Sequence, residues 1–149
     1  MAEKWNAGKY RKSADKHYKM CKYIIRVHST FHQDKDVFIS TLYYLGGYVI
    51  ECTLKGMILE NEHERDKFYD KDELRTLNLL THDLLALFRL AQDKCSLDLP
   101  QWQTLAENTQ RWSENVRYDY PLAPARHQSV ICEFWSDVEK IYNIYRDNY

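Results

Sequence analysis

Only four glycines and three prolines punctuate 149 residues. Tight turns draw on glycine for positive φ and on proline for a preset φ. A chain this poor in both argues against a β-sandwich or barrel, which needs a turn every few residues, and favours a few long helices. The apolar pattern agrees. No segment of useful length alternates with period two, and no internal repeat or low-complexity tract appears, whereas apolar residues recur at three- and four-residue spacing in five places. The length suits one domain, and 44% hydrophobic with 29% charged residues is the balance of a water-soluble fold. The expected fold is an all-α, antiparallel bundle of about five helices occupying residues 1–149 as a single domain.

The first helix is expected from about Trp5 to His32, with Ala14, Tyr18, Cys21, Ile25 and His28 inward. The second runs from about Asp36 to Glu60 on a stripe of Phe38, Leu42, Leu45, Val49, Cys52 and Ile58. Gly46-Gly47 lies inside it, where each glycine costs about 1 kcal/mol relative to alanine, so another helix is expected to cross there at close range. Residues 61–73, NEHERDKFYDKDE, form a charged connector. Leu74, Leu77 and Leu80 add a turn or short helix before a third main helix, for which Thr81 is the expected N-cap and Asp83 a first-turn acid. That helix turns Leu84, Leu87, Phe88 and Ala91 inward. A fourth opens at Asp98 and Pro100 and buries Trp102, Leu105, Thr109, Trp112 and Val116. Residues 117–124, RYDYPLAP, are a loop, and the last helix runs from about Arg126 to Tyr145 with Val130, Ile131, Phe134, Val138, Ile141 and Tyr145 inward.

The net charge of −1 conceals a division. Residues 1–35 hold nine Lys/Arg against three acids, a balance of +6, and the remainder carries −7. A basic N-terminal helix beside an acidic body suits docking on a polyanion or an acidic partner; it equally suits a solvated face. Aromatic residues Trp5, Tyr10, Tyr18 and Tyr23 interleave its lysines, the combination by which single strands are bound, though aromatics at this spacing also build cores. The start, MAEKWNAGKYRK, has no apolar stretch behind its charges and no window is apolar enough to span a membrane, so a cytoplasmic protein without membrane association is expected. Cys21, Cys52, Cys95 and Cys132 are scattered, which suits reduced thiols rather than a disulfide frame or zinc site. His28, His32 and Asp36 share a four-residue spacing, but no fourth ligand accompanies them and no metal or cofactor is expected.

Three places carry residues with chemistry. Glu51 and Lys55 stand four apart within the nearly all-apolar segment YVIECTLKGMIL, so they share a face and either pair internally or edge a crevice. His82 sits at a helix start, where the dipole favours a neutral imidazole able to act as a base, or simply to bond a free backbone group. Arg117 and Tyr118 leave a helix for a proline loop, where a guanidinium reaches phosphate and a phenol stacks on a base, or where the arginine caps helix carbonyls.

Taken in order, GGYVIECTLKGMIL (Gly46–Leu59), THDL (Thr81–Leu84) and Trp112…Arg117-Tyr118 before a proline resemble the HEPN domain family. The resemblance spans about 75 residues of the chain. It implies a small helical bundle, commonly a homodimer, that binds nucleotides or RNA and recurs in phage-defence and toxin–antitoxin systems, with a nucleotidyltransferase or another protein as partner. Its binding residues would be Glu51, Lys55, His82, Arg117 and Tyr118. Catalytic members carry an Arg, four to six residues and then a His near the start of a late helix. That pattern is missing after Arg111 and Arg117, so a binding role without catalysis is preferred. Arg75 and His82 match it numerically, which keeps a metal-independent endoribonuclease using Arg75 or Arg117 with His82 as the alternative. A non-catalytic protein-interaction module is the third reading.

Overall fold

Helices make up most of the chain. The computed structural model describes residues 2–30, 35–62, 67–95, 112 and 128–148. Within them α1 spans Ala7–Thr30, α2 Lys35–Glu60, α3 Lys71–Thr76, α4 Leu84–Cys95 and α5 Gln128–Asn148. The one pairing of extended backbone among the described residues is an isolated antiparallel bridge, Trp5 with Tyr69. The fold is therefore an all-α bundle. The helix expected over Asp98–Val116 lies outside the described residues apart from Trp112, as does the loop at 117–124.

The central element is α2, against which α1, α4 and α5 all pack. Every residue from Val49 to Leu59 is buried, because three neighbours leave no face of this segment to solvent. His17 stacks on Tyr48, Ser13 bonds Cys52, and the Tyr10 ring lies under Lys55. Numbers rise along α2 as they fall along α1, so these two helices are antiparallel. Tyr43 meets Phe134 and Gly56 faces Tyr145, so α5 runs in the direction of α2. Tyr18 against Trp135 and Arg11 over Tyr145 close the third side, α1 against α5.

The glycine pair fulfils its expected purpose. A β-carbon at Gly46 would lie 2.7 Å from Phe134 Cε1 on α5, and one at Gly47 only 1.9 Å from Trp112 Cε2 and Nε1. The close neighbour at Gly47 is the indole of Trp112. Trp112 is buried, and its Nε1 donates to the carbonyls of Tyr43 (3.1 Å) and Tyr44 (3.3 Å). On α5, Ile131, Phe134, Val138, Ile141 and Tyr145 are buried as the periodicity requires.

Two local expectations need correction. The charged connector does not run through to residue 73. Asp70 accepts from the Glu73 backbone N–H at 2.9 Å while Glu73 accepts from the Asp70 N–H at 2.8 Å, a capping box that starts α3 inside the charged stretch. Its end is a Schellman motif: Asn78 takes φ 60°, Leu79 N–H donates to the Leu74 carbonyl, and Asn78 N–H to that of Arg75. Leu74 and Leu79 are consequently the buried pair, while Leu80 is exposed. Secondly, the N-cap of α4 is Asp83, whose Oδ1 accepts from Ala86 N–H at 3.0 Å. Thr81 Oγ1 instead holds the Asp83 N–H, which sets the backbone on which His82 is carried.

Candidate functional site

A groove of about 540 Å³ opens where the N-terminal segment, α2, α3 and the loop into α4 converge. From α2 come Glu51 and Lys55, which are only 4% and 5% exposed. Their i,i+4 spacing brings Lys55 Nζ to 2.7 Å from Glu51 Oε1. The second carboxylate oxygen is engaged from outside: His82 Nδ1 lies 2.9 Å from Glu51 Oε2. A carboxylate only accepts, so the imidazole donates to it through Nδ1–H, which leaves Nε2 as the ring nitrogen not bonded to Glu51. The His82 side chain is 45% exposed, whereas that of Glu51 is 6%. One buried carboxylate thus holds a buried ammonium on one oxygen and a half-open imidazole on the other. A buried charge retained in this way needs its partners, since removal from water costs several kcal/mol per ion.

Two further walls are cationic and aromatic. Lys71 and Arg75 stand four apart on α3 and both line the groove. Arg75 lies 2.7 Å from Asp72 in an exposed pair. Trp5 and Tyr10 also line the groove. Trp5 is placed by its backbone bridge, donating to Tyr69 O at 2.9 Å and accepting from Tyr69 N–H at 2.6 Å. Asn6 caps α1 through a 2.9 Å bond from Lys9 N–H, which sets Tyr10 in the first turns. The Tyr10 ring lies under Lys55 Nζ at 5.8 Å. Burial, then the neighbouring Cys52, Glu51 and Glu3 charges, push its phenol well above the ordinary value. Tyr10 is therefore a neutral hydroxyl at any physiological pH.

Four of the sequence candidates, Glu51, Lys55, Arg75 and His82, line this one groove although Arg75 and His82 come from different elements than the other two. Arg117 and Tyr118 lie outside the described residues. So does His32, and nothing is described of the side chains of His28 and Asp36; among the described residues no group of three His, Cys, Asp or Glu side chains is placed to hold a metal ion. Of the aromatics on the basic segment, Trp5 and Tyr10 enter the groove. Tyr18 stacks on Tyr142 at 3.9 Å, in the packing of α1 on α5, and Tyr23 is exposed. Lys71 carried no signal beyond its charge. Its place follows from the capping box, which was readable as Asp70-x-x-Glu73.

Among the groove's side chains, Lys55, Lys71 and Arg75 carry positive charge against the carboxylate of Glu51, and with Asp72 beside Arg75 counted the balance is still positive. The positive balance attracts anions, the aromatic rings offer flat apolar surface, and the His82 imidazole is oriented by its bond to Glu51. Compared with protein-family models, curated proteins and solved structures, the chain matches none.

Proposed function

We propose that this chain is a HEPN-like domain that binds a nucleotide, free or as part of an RNA, in the groove between α2, α3 and the N-terminal segment. The observation that supports this is the pairing of surplus cations with an aromatic wall in one groove. Arg75 offers its guanidinium fork and Lys71 its ammonium to phosphate oxygens, as such groups do at phosphate sites. The base lies against Trp5 and Tyr10. Lys55 adds charge from beneath, held by Glu51, and Arg117 and Tyr118 are the family-implied phosphate and stacking residues. No described helix is long and apolar enough to cross a membrane. The resemblance further suggests a cytoplasmic homodimer acting with a nucleotidyltransferase or other protein partner in defence or toxin–antitoxin systems.

A second reading is favoured by one feature, the bond from His82 Nδ1–H to Glu51. A carboxylate that fixes the tautomer leaves Nε2 as a general base, and Arg75 lines the same groove to steady a phosphate. That arrangement suits attack of a ribose 2′-hydroxyl on its own phosphodiester without metal: Nε2 takes the hydroxyl proton, the O2′–P bond forms as P–O5′ breaks, and the departing 5′-oxygen takes up a proton.

Calorimetric titration with the four 5′-ribonucleoside monophosphates and diphosphates separates these. Binding by wild type that weakens at least tenfold in Lys71→Gln/Arg75→Gln supports the binding site. Cleavage of a labelled RNA in EDTA, abolished by His82→Ala, makes it a ribonuclease. If no nucleotide binds and no RNA is cleaved, both readings fall and a protein-interaction role takes their place.

A further inference from the structure

The outward face of α1 is organised differently from the groove. Its buried side chains, Ala7, Ala14, Cys21 and Ile24, all point to the core. On the other side Lys9, Lys12, Lys16, Lys19, Tyr23 and Arg26 are exposed. Their spacing alternates three and four, so at about 100° per residue they form one stripe about 26 Å long, at 1.5 Å rise per residue. Lys22 flanks it. The helix's one acid, Asp15, points elsewhere, accepting from Tyr142 Oη at 2.6 Å. Among the described residues Lys12, Lys16, Lys19 and Lys22 take part in no ion pair. Tyr10, which faces the groove, sits on the opposite side of the helix, so the stripe is a separate surface.

We propose that this stripe is a docking track for the phosphodiester backbone of a single-stranded nucleic acid. Charge complementarity selects the occupant. Five cations in register on a rigid helix match a linear run of phosphates, and at about 3.4 Å per stacked nucleotide the stripe accommodates about eight. Tyr23, 55% exposed, supplies an aromatic ring on the same line, with Arg26 over one face at 5.5 Å. A membrane surface fits poorly, because an interfacial helix must insert an apolar face and that of α1 is already in the core. A protein partner fits poorly as well: interface centres are depleted in lysine, and beside Tyr23 only Met20 is a large exposed apolar group here. The track is sequence-independent and does not depend on what the groove binds.

The test is fluorescence anisotropy with a labelled 12-nucleotide oligouridylate at several salt concentrations, using wild type and Lys12→Gln/Lys16→Gln/Lys19→Gln. Each single-strand phosphate neutralised contributes about 0.7 to the slope of log K against log salt. Loss of three contacts should therefore flatten the slope by about two and weaken binding about a hundredfold at 0.1 M salt. All substitutions are on the surface, and unchanged circular dichroism verifies folding. The triple variant should retain whatever nucleoside monophosphate binding the wild type shows, which separates the track from the groove. Three results overturn the proposal: no oligouridylate binding by wild type, an unchanged slope in the variant, or lysine-dependent binding to polyglutamate or phosphatidylserine vesicles as strong as to the oligonucleotide.

Discussion

Replacing Gly47 with alanine puts the packing of the α2 crossing to a numerical test. Helix propensity alone favours the substitution by about 1 kcal/mol. Sterically it is opposed, because the new β-carbon falls 1.9 Å from two indole atoms of Trp112, and ordinary contact begins near 3.4 Å. The indole must retreat by about 1.5 Å, and it is large, buried and tied to the same helix through Nε1. Overpacking of this kind costs about 1–3 kcal/mol, and loss of the indole hydrogen bond about 1 kcal/mol more. After the propensity gain the net destabilisation is about 1–3 kcal/mol. Equilibrium urea unfolding followed by circular dichroism measures it, in wild type and in a Trp112→Leu background. There the obstacle is gone, and Gly47→Ala should be neutral or stabilising by up to about 1 kcal/mol. An equal cost in both backgrounds, or no cost in wild type, would refute the seating of Trp112 on Gly47.

Other consequences follow from the buried groups. Glu51→Gln leaves Lys55 as a buried charge without its counter-ion and should cost about 3 kcal/mol or more by urea unfolding. The double replacement Glu51→Leu/Lys55→Met should cost less than that single one; a larger loss would contradict the pairing. Glu73 has its carboxyl held below the ordinary value, first by the Asp70 N–H and then by Lys67. Its contribution is thus present above the unfolded pKa and lost as pH falls through the folded one, so the advantage of wild type over Glu73→Gln should fade in acid. An advantage that persists unchanged at pH 2 would count against the capping box. Burial raises the thiols of Cys52 to about 11 and Cys21 to about 12, whereas Cys132 is exposed. At pH 8 a disulfide reagent should label Cys132 quickly and leave Cys21 and Cys52 unlabelled until urea unfolds the chain. The same two raised thiols make stability fall as pH climbs from about 9 through their folded values.

What could be seen in the sequence was whatever repeats along a helix. The stripes of α1 and α5 are periodic and local, so the face each packs inward followed from spacing, although Ile24 and not Ile25 is the buried residue on α1. On α2 the expected stripe understates the burial, which is complete from Val49 to Leu59. Gly46-Gly47 announced a close approach because helix propensity disfavours two glycines there. Which side chain makes that approach was not legible, since Trp112 lies 65 residues from Gly47 along the chain. Local chemistry that departs from periodicity was also missed. The Asp70-to-Glu73 box was legible as a spacing but lay within the charged connector, and Asn78 at positive φ turned the leucine pattern so that Leu79, not Leu80, enters the core. The site divides the same way. Glu51 and Lys55 stood out as charges inside an apolar helix, and His82 as a residue near a cap. Tyr10 joins them through the packing of α1 on α2, and Trp5 through its bridge to Tyr69, pairings of chain segments far apart that no spacing rule contains.

A nucleotide seated in the groove lined by His82 would perturb the groups around it. Heteronuclear NMR during titration with 5′-ribonucleoside mono- and diphosphates follows them residue by residue. Saturable shifts are expected at the Trp5 indole N–H, the Thr81 amide and the His82 imidazole Nε2, with α5 amides such as Ile141 unmoved. Shifts confined to other surfaces, or none at millimolar nucleotide, would contradict that seating.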